Sequence, residues 1–189
     1  MADQFLDQPP GVPRSSLLLP TAVKAASLGR NTGSASGLAS LTSGRQSFQL
    51  IYLEAGTPVT NLTFSSWTTA LAAGTNQWFS LYDINRIKLA VTADDTSAAW
   101  NAFTTKTLAL SAPYMVTASG LYYAGICVVA STVPSLAGGV MPDGYNLAVP
   151  INHGHDATNT GLTNPASAPA TAAALTKSTA PGTLLVYVT

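Results

Sequence analysis

The sequence predicts an all-β chain, an antiparallel β-sandwich of jelly-roll type. Three observations lead there. Between Gln46 and Ala130, apolar residues alternate with polar ones in short runs separated by turn residues, a period that belongs to strands. No run is long and helix-periodic enough to supply the crossover helices of a βαβ arrangement. The run 'LYYAGICVVA', Leu121 to Ala130, is apolar on both parities, which marks a strand buried on both faces.

The elements follow in chain order. Residues 1–45 read as an extended N-terminal arm. 'QPPGVPR' holds three prolines, which remove backbone donors and fix φ, so neither a regular helix nor a central strand can form there. Thr21 to Leu28 is expected to form a short helix stopped by Gly29, and 'RNTGSASGLASLTSGR' a Gly/Ser-rich connector. Residues 46–135 are the expected sandwich core. 'QSFQLIYLEA' opens it, with Phe48, Leu50 and Tyr52 on one face, and 'TPVTNLTFSSW' follows. 'NQWFSLYD' and 'IKLAVTA' make a hairpin around Ile84-Asn85-Arg86, with Asn85 suited to the turn. 'DDTSAAWNAF' is a longer connection with room for one helical turn capped by Asp95 or Thr96. 'KTLALSAPYMV' is a strand broken by Pro113, and 'TASG' turns the chain into the buried strand. The expected core contacts are Phe48, Leu50, Trp78, Leu81, Leu89, Tyr123, Ile126 and Val128. Residues 136–189 are an irregular Pro/Ala/Thr-rich segment that ends in a strand over 183–188, either returning to the main sheet or pairing with another chain.

Composition restricts function. Charged residues are 8% of the 189, with a formal net charge of zero, against about 25% in ordinary soluble domains. Such a surface lacks the mixed charges that keep monomers apart, so hydroxyls and amides are expected to solvate part of it and other subunits to cover part. Without a basic excess there is nothing to release phosphate counterions, so nucleic acid is not an expected partner. No apolar stretch reaches the roughly 18–20 residues needed to span a bilayer, so membrane insertion is not expected. The acidic, proline-broken 'MADQFLDQPPGVPR' lacks the pattern of a secretory signal, which predicts synthesis and assembly in a cytoplasm. Cys127, the single cysteine, falls in the buried strand, where a small apolar thiol is expected.

Few residues are candidates for chemistry. His153 and His155, followed by Asp156, form the one metal-like cluster, since residues two apart in a strand share a face. The competing expectation is a polar loop, 'PINHGHDATN', in which both imidazoles serve hydrogen bonding. With no third or fourth ligand evident beyond Asp156 or Asp143, no metal and no other cofactor is expected. Asp94 and Asp95 are neighbours, which face opposite ways in an extended chain and suit turns or caps better than acid–base work. Glu54, the only glutamate, stands at a strand end. Neither a G-x-S-x-G elbow nor a phosphate-binding glycine loop is present, so the chain is expected not to be an enzyme. Trp78, Tyr82 and Tyr114 are candidates for stacking on a sugar, set against the commoner fate of strand aromatics in a core. Leu17, Leu18 and Leu19 form the apolar patch of the arm and its expected anchor on a neighbouring subunit.

The pieces 'NQWFSLYD', 'KTLAL', 'PY' and 'SGLYYAGI' bring a family into view. Over roughly Gln46 to Gly139 the chain resembles β-sandwich virion surface proteins of actinobacteriophages, of the minor-tail or head-decoration kind. More loosely, 'VTASGLYYAGI' is similar to the strand entry of tumour-necrosis-factor and complement-type jelly rolls, where a turn feeds an aromatic core strand at a trimer axis. The resemblance implies a non-enzymatic structural protein of a phage particle. Its expected role is decorating or stabilising the capsid, with a minor tail protein or glycan-binding adhesin as the alternative. The implied partners are other capsid or tail subunits, further copies of this chain in a homo-oligomer, a trimer by the second likeness, and, for an adhesin, a host-surface glycan. It carries over no catalytic residues.

Overall fold

The computed structural model describes residues 24–26, 38–96, 98–139, 150–177 and 183–189. Among them the regular structure is strand, apart from a 3-10 turn at Pro165–Ser167. The first strands are β1 (Ala25–Ala26), β2 (Leu38–Ser40), β3 (Ser47–Leu53), β4 (Pro58–Ser65), β5 (Ala72–Asp83), β6 (Lys88–Val91) and β7 (Thr105–Met115). The rest are β8 (Gly120–Thr132), β9 (Ser135–Leu136), β10 (Gly138–Gly139), β11 (His153–Asp156), β12 (Leu175–Lys177), β13 (Thr183–Leu184) and β14 (Val186–Val188).

All the pairings are antiparallel, as the sequence predicts. A six-stranded sheet runs β12-β11-β3-β8-β5-β6, and a four-stranded sheet runs β1-β14-β4-β7. The pairs β10-β13 and β2-β9 stand outside both. The central strand of the larger sheet is β8, the doubly apolar run, which pairs with β3 from Gly120 to Ile126 and with β5 from Tyr122 to Thr132.

Alternation along these strands sorts residues onto two faces. One face joins the four-stranded sheet in a single apolar core: Ile51 and Leu53 of β3, Phe79 and Leu81 of β5, and Ala124, Ile126 and Val128 of β8 pack with Leu62 and Phe64 of β4 and Val186 and Val188 of β14. The Phe64 and Phe79 rings meet across it with centroids 4.7 Å apart. Each such Leu, Ile or Phe taken out of water contributes roughly 1.5–3 kcal/mol, the reason alternation is enough to set the register.

The other face of the six-stranded sheet is covered by the chain's own C-terminal segment. Phe48, Leu50, Tyr82 and Tyr123 pack with Ala172, Leu121 and Leu175, while Trp78 and Cys127 pack with Leu162. Backbone bonds from Lys88 N–H to Ala170 C=O and from Ala172 N–H to Arg86 C=O tie this cover to the edge strand β6 and its turn. The expectation that β8 is buried on both faces therefore holds, and the second cover is intramolecular. That strand makes no demand for a second copy of the chain. Of the expected core contacts, Phe48, Leu50, Trp78, Leu81, Tyr123, Ile126 and Val128 are buried and Leu89 is half-buried.

Several local expectations change. Ala25–Ala26, placed in a short helix by sequence, is a strand paired with β14 (Ala25 opposite Val188), because the open edge of β14 offers backbone partners that a short alanine run takes. The connection after β6 holds no helical turn in its described residues. Instead the Asp94 carboxylate accepts from the backbone N–H groups of Gln77 and Thr96 and from the Asn76 amide, which stitches the connection to β5, and Ala98 N–H closes a turn onto Asp95 C=O. The 'PINHGHDATN' segment, expected as a loop, contributes β11 to the six-stranded sheet, with His153 opposite Gln49 and His155 opposite Ser47. The strand expected over 183–188 is two: β13 pairs with β10, and β14 lies between β1 and β4.

Candidate functional site

The covered face of the six-stranded sheet is the chemically richer one. Ser80, Gln46 and Tyr82 are all buried on it. The Gln46 amide donates to Ser80 Oγ at 2.6 Å, and the Tyr82 hydroxyl lies 2.9 Å from the Pro169 carbonyl and 3.2 Å from Gln46 Oε1. Gly125 sits opposite both Phe48 and Ser80, and a β-carbon there would collide with Ser80 Oγ and press on the Phe48 ring. The glycine in the otherwise apolar strand thus makes room for the polar cluster. Burial pushes the Tyr82 phenol pKa well above its ordinary value.

Beside this cluster the cover leaves an opening of about 460 Å³, lined by Ile84, Asn85, Arg86, Tyr123, Pro150, Ile151, Ala174 and Leu175. This is within the size range of small-molecule sites, roughly 300–1,000 Å³. The hairpin turn between β5 and β6 forms one wall. Arg86 N–H donates to Asp83 C=O, Ile87 N–H to Asp83 Oδ1, and Asp83 N–H to Ile87 C=O. The residue that must adopt the left-handed conformation is Arg86, with φ 67°, and not Asn85. That conformation favours glycine, so an arginine there is strained. Arg86 Nε donates to Ala172 C=O at 3.3 Å. Its guanidinium has no carboxylate partner among the described residues, where the sole ion pair is Lys106 with Asp95. Tyr123 forms part of the floor. Burial raises its phenol pKa, and the Arg86 charge pulls the other way.

The sequence-derived candidates lie elsewhere. His153 and His155 share a strand face, but among the described residues no three His, Cys, Asp or Glu side chains gather as a metal site. His153 is 3% exposed, and among the described residues its Nδ1 has no hydrogen-bond partner. Burial, with help from the His155 charge, lowers its pKa to about 4. His155 is shifted the same way by burial and by Arg45. Asp156 is on the opposite parity and is engaged by four donors: Oδ1 accepts from Thr158 and Asn159 N–H, and Oδ2 from the Asn159 amide and Ala173 N–H. Burial would raise its pKa, but these bonds outweigh it and hold the carboxyl below the usual range. Asp156 is thus a fastener between β11 and the C-terminal cover. Asp143 and the expected anchor residues Leu17, Leu18 and Leu19 lie outside the described residues.

Asp95 pairs with Lys106, whose ammonium also stands 5.6 Å from the centre of the Trp100 ring and donates to Ala98 C=O. Glu54 begins a turn in which Gly56 takes φ 81° and Thr57 N–H returns to Glu54 C=O. These carboxylates do not converge on one another or on His153. Cys127 is buried, and burial pushes its thiol far above the range of a nucleophile.

Trp78 and Tyr82 are fully buried, so their ring faces cannot receive a sugar, while Tyr114 is half-buried. They are core aromatics because they stand on the covered parity of β5. The aromatic pair with an exposed ring is instead half-buried Trp67 with Phe103, centroids 5.1 Å apart and edge to face, with Phe103 65% exposed at φ 58°. Sequence reasoning missed Arg86 and this pair as surface features, while Tyr123, an expected core contact, is buried. No alternation signals a turn residue; Arg86 and Phe103 have positive φ, as do Ala73 and Thr96. No family model, curated protein or solved structure matches the chain.

Proposed function

We propose that the chain is a non-enzymatic structural protein of a bacteriophage particle, built as a jelly-roll type β-sandwich, which decorates or stabilises the capsid surface. The observation that supports this reading most is the use of its polar side chains. Asp94, Asp95 and Asp156, the groups most suited to chemistry, are bonded to the chain's own backbone, amides and Lys106, and serve to fix segments in place. A body so tied down, with few charges on its surface, suits a subunit that spreads contacts across a seam between neighbours. Binding only the assembled state stabilises it by mass action. The partners are then capsid or tail subunits, and the anchor is the stretch holding Leu17, Leu18 and Leu19. Self-association into a trimer rests on the sparse charge and on the jelly-roll likeness, since the cover on β8 is internal.

The second reading, a glycan-binding adhesin at a tail tip, is favoured by the Trp67–Phe103 pair. Exposed Thr68, Thr69 and Asn101 are near it in sequence, and no charged residue occurs between Glu54 and Asp83 or between Asp95 and Lys106. Gold labelling of the protein on intact particles separates the two. Decoration gives many labels over the shell, an adhesin a few at one end, and absence of label from particles removes both. Truncation before Lys24, which spares β1, should abolish particle binding and leave the far-ultraviolet circular dichroism spectrum unchanged. Full occupancy by the truncated chain would disprove the anchor.

A further inference from the structure

We propose that the cleft between the β5–β6 turn, Tyr123 and Leu175 is a binding site for a carboxylate borne on an apolar body, with Arg86 as the anion-binding group. This goes beyond a structural role in a particle and does not depend on it. Three independent features of the cleft support the assignment.

The first is shape and lining. The opening is lined on its apolar side by Ile84, Pro150, Ile151, Ala174 and Leu175, and on its polar side by Asn85, Arg86 and Tyr123. Few polar groups set in an apolar cleft fix orientation while the walls supply affinity. The second is charge. Arg86 uses Nε on Ala172 C=O and has no carboxylate partner among the described residues, leaving the two terminal nitrogens of its planar fork for an acceptor. Two parallel N–H donors match the two oxygens of a carboxylate. A cation at the wall of an apolar cleft also disfavours a neutral ligand that displaces its water without replacing the hydrogen bonds.

The third is strain. At φ 67° glycine would fill the turn without cost, and the side chain of an arginine there contributes to the fold through one 3.3 Å bond only. Backbone strain held at a residue that lines a cleft is the pattern of a residue kept for a ligand. The carboxylate has two sources, a free organic acid or the terminal carboxyl of a peptide, and the recognition chemistry is the same for both.

The test uses the full chain. Hexanoate and an N-acetylated dileucine peptide are titrated against their uncharged counterparts, hexanamide and the peptide amide, with binding followed by amide chemical shifts. At least one acid should shift the signals of Arg86, Tyr123 and Leu175. Its amide should bind about tenfold more weakly, the loss expected when a charge-assisted pair becomes a neutral one. Which acid binds tells free acid from peptide terminus. Arg86→Gly relieves the turn, so it should keep or raise the melting temperature while losing the preference for acid. Arg86→Lys should keep part of that preference, and Tyr123→Phe should weaken acid binding a few-fold. Equal affinity for acid and amide, undiminished binding by Arg86→Gly, or no shift at these residues with either acid at millimolar concentration would overturn the assignment.

Discussion

The two faces of the six-stranded sheet are made by the same strands and held by different forces. On the inner face, Ile51, Leu53, Phe79, Leu81, Ala124, Ile126 and Val128 meet the four-stranded sheet in a core of apolar contact. On the outer face, apolar residues share the surface with Gln46, Ser80, Tyr82 and Gly125. The cover is a segment without alternation, fastened by Asp156, the Tyr82–Pro169 bond and the backbone of Arg86 and Lys88. Burial without direction is enough where two patterned sheets meet. An unpatterned cover is positioned by directional bonds, each of which costs more to leave unmade than it contributes when made.

A charge placed in the inner face should be the most damaging change to this arrangement. Ile126→Asp buries a carboxylate without a partner and should cost about 4 kcal/mol or more, seen as loss of the cooperative unfolding transition in urea. If the variant unfolds with an unchanged midpoint, the inner face is not the stabilising one.

The next effect is an acid ramp at β11, where His153 shares the inner parity through its pairing with Gln49. Its folded pKa of about 4 lies below the ordinary 6.5, so the folded state holds the neutral ring. Between those two values the unfolded chain takes up a proton that the folded chain refuses. Stability is therefore complete above pH 6.5, falls as the pH drops toward 4, and loses on the order of 3 kcal/mol across that window. Asp156 acts later and in the same direction: its depressed pKa adds stability present above the ordinary carboxyl value and lost as the pH falls through the folded one. Urea midpoints measured from pH 7 to 4 should show the first ramp in the native chain and a flatter profile in His153→Gln.

A smaller and sharper effect belongs to the outer face. Gly125→Ala inserts one methyl group between Ser80, Phe48 and Gln46 and should cost about 2 kcal/mol by overpacking, with the transition still cooperative. An unaltered midpoint would mean that the polar cluster yields, and that the outer face is loosely held.

The same contrast explains what could be read in the sequence. The inner face was legible because alternation is a local record of burial. The doubly apolar Leu121–Ala130 run gave the central strand, and Phe48, Leu50, Leu81, Ile126 and Val128 were found buried. The outer cover was not legible, because Leu162, Ala168 and Ala172 are separated by polar and turn residues and are placed by bonds to distant residues: Leu162 to Gly44, Ala168 to Lys88 and Ala172 to Arg86. His153 was misplaced in a loop because 'NHGHD' has no strand propensity. Its backbone is in the sheet because β3 has an open edge beside it. Trp78 and Tyr82 were ambiguous for a different reason: an aromatic on a strand looks the same whether its face is covered or bare, and the cover lies some eighty residues further along the chain.

The position of β14 between β1 and β4 sets a timetable for the chain during its synthesis. Val188 pairs with Ala25 on one side and Leu62 on the other, so the four-stranded sheet cannot close until residues 186–188 have left the ribosome. Until then the backbone donors and acceptors of β4 on that side face water or another nascent chain. Since domains are completed at roughly 5–20 residues per second and unpaired strand edges invite association, the chain passes several seconds in a form that can pair with its neighbours on the same messenger. Slower elongation over the last third would lengthen that exposure, and chaperone capture in the interval would shorten it.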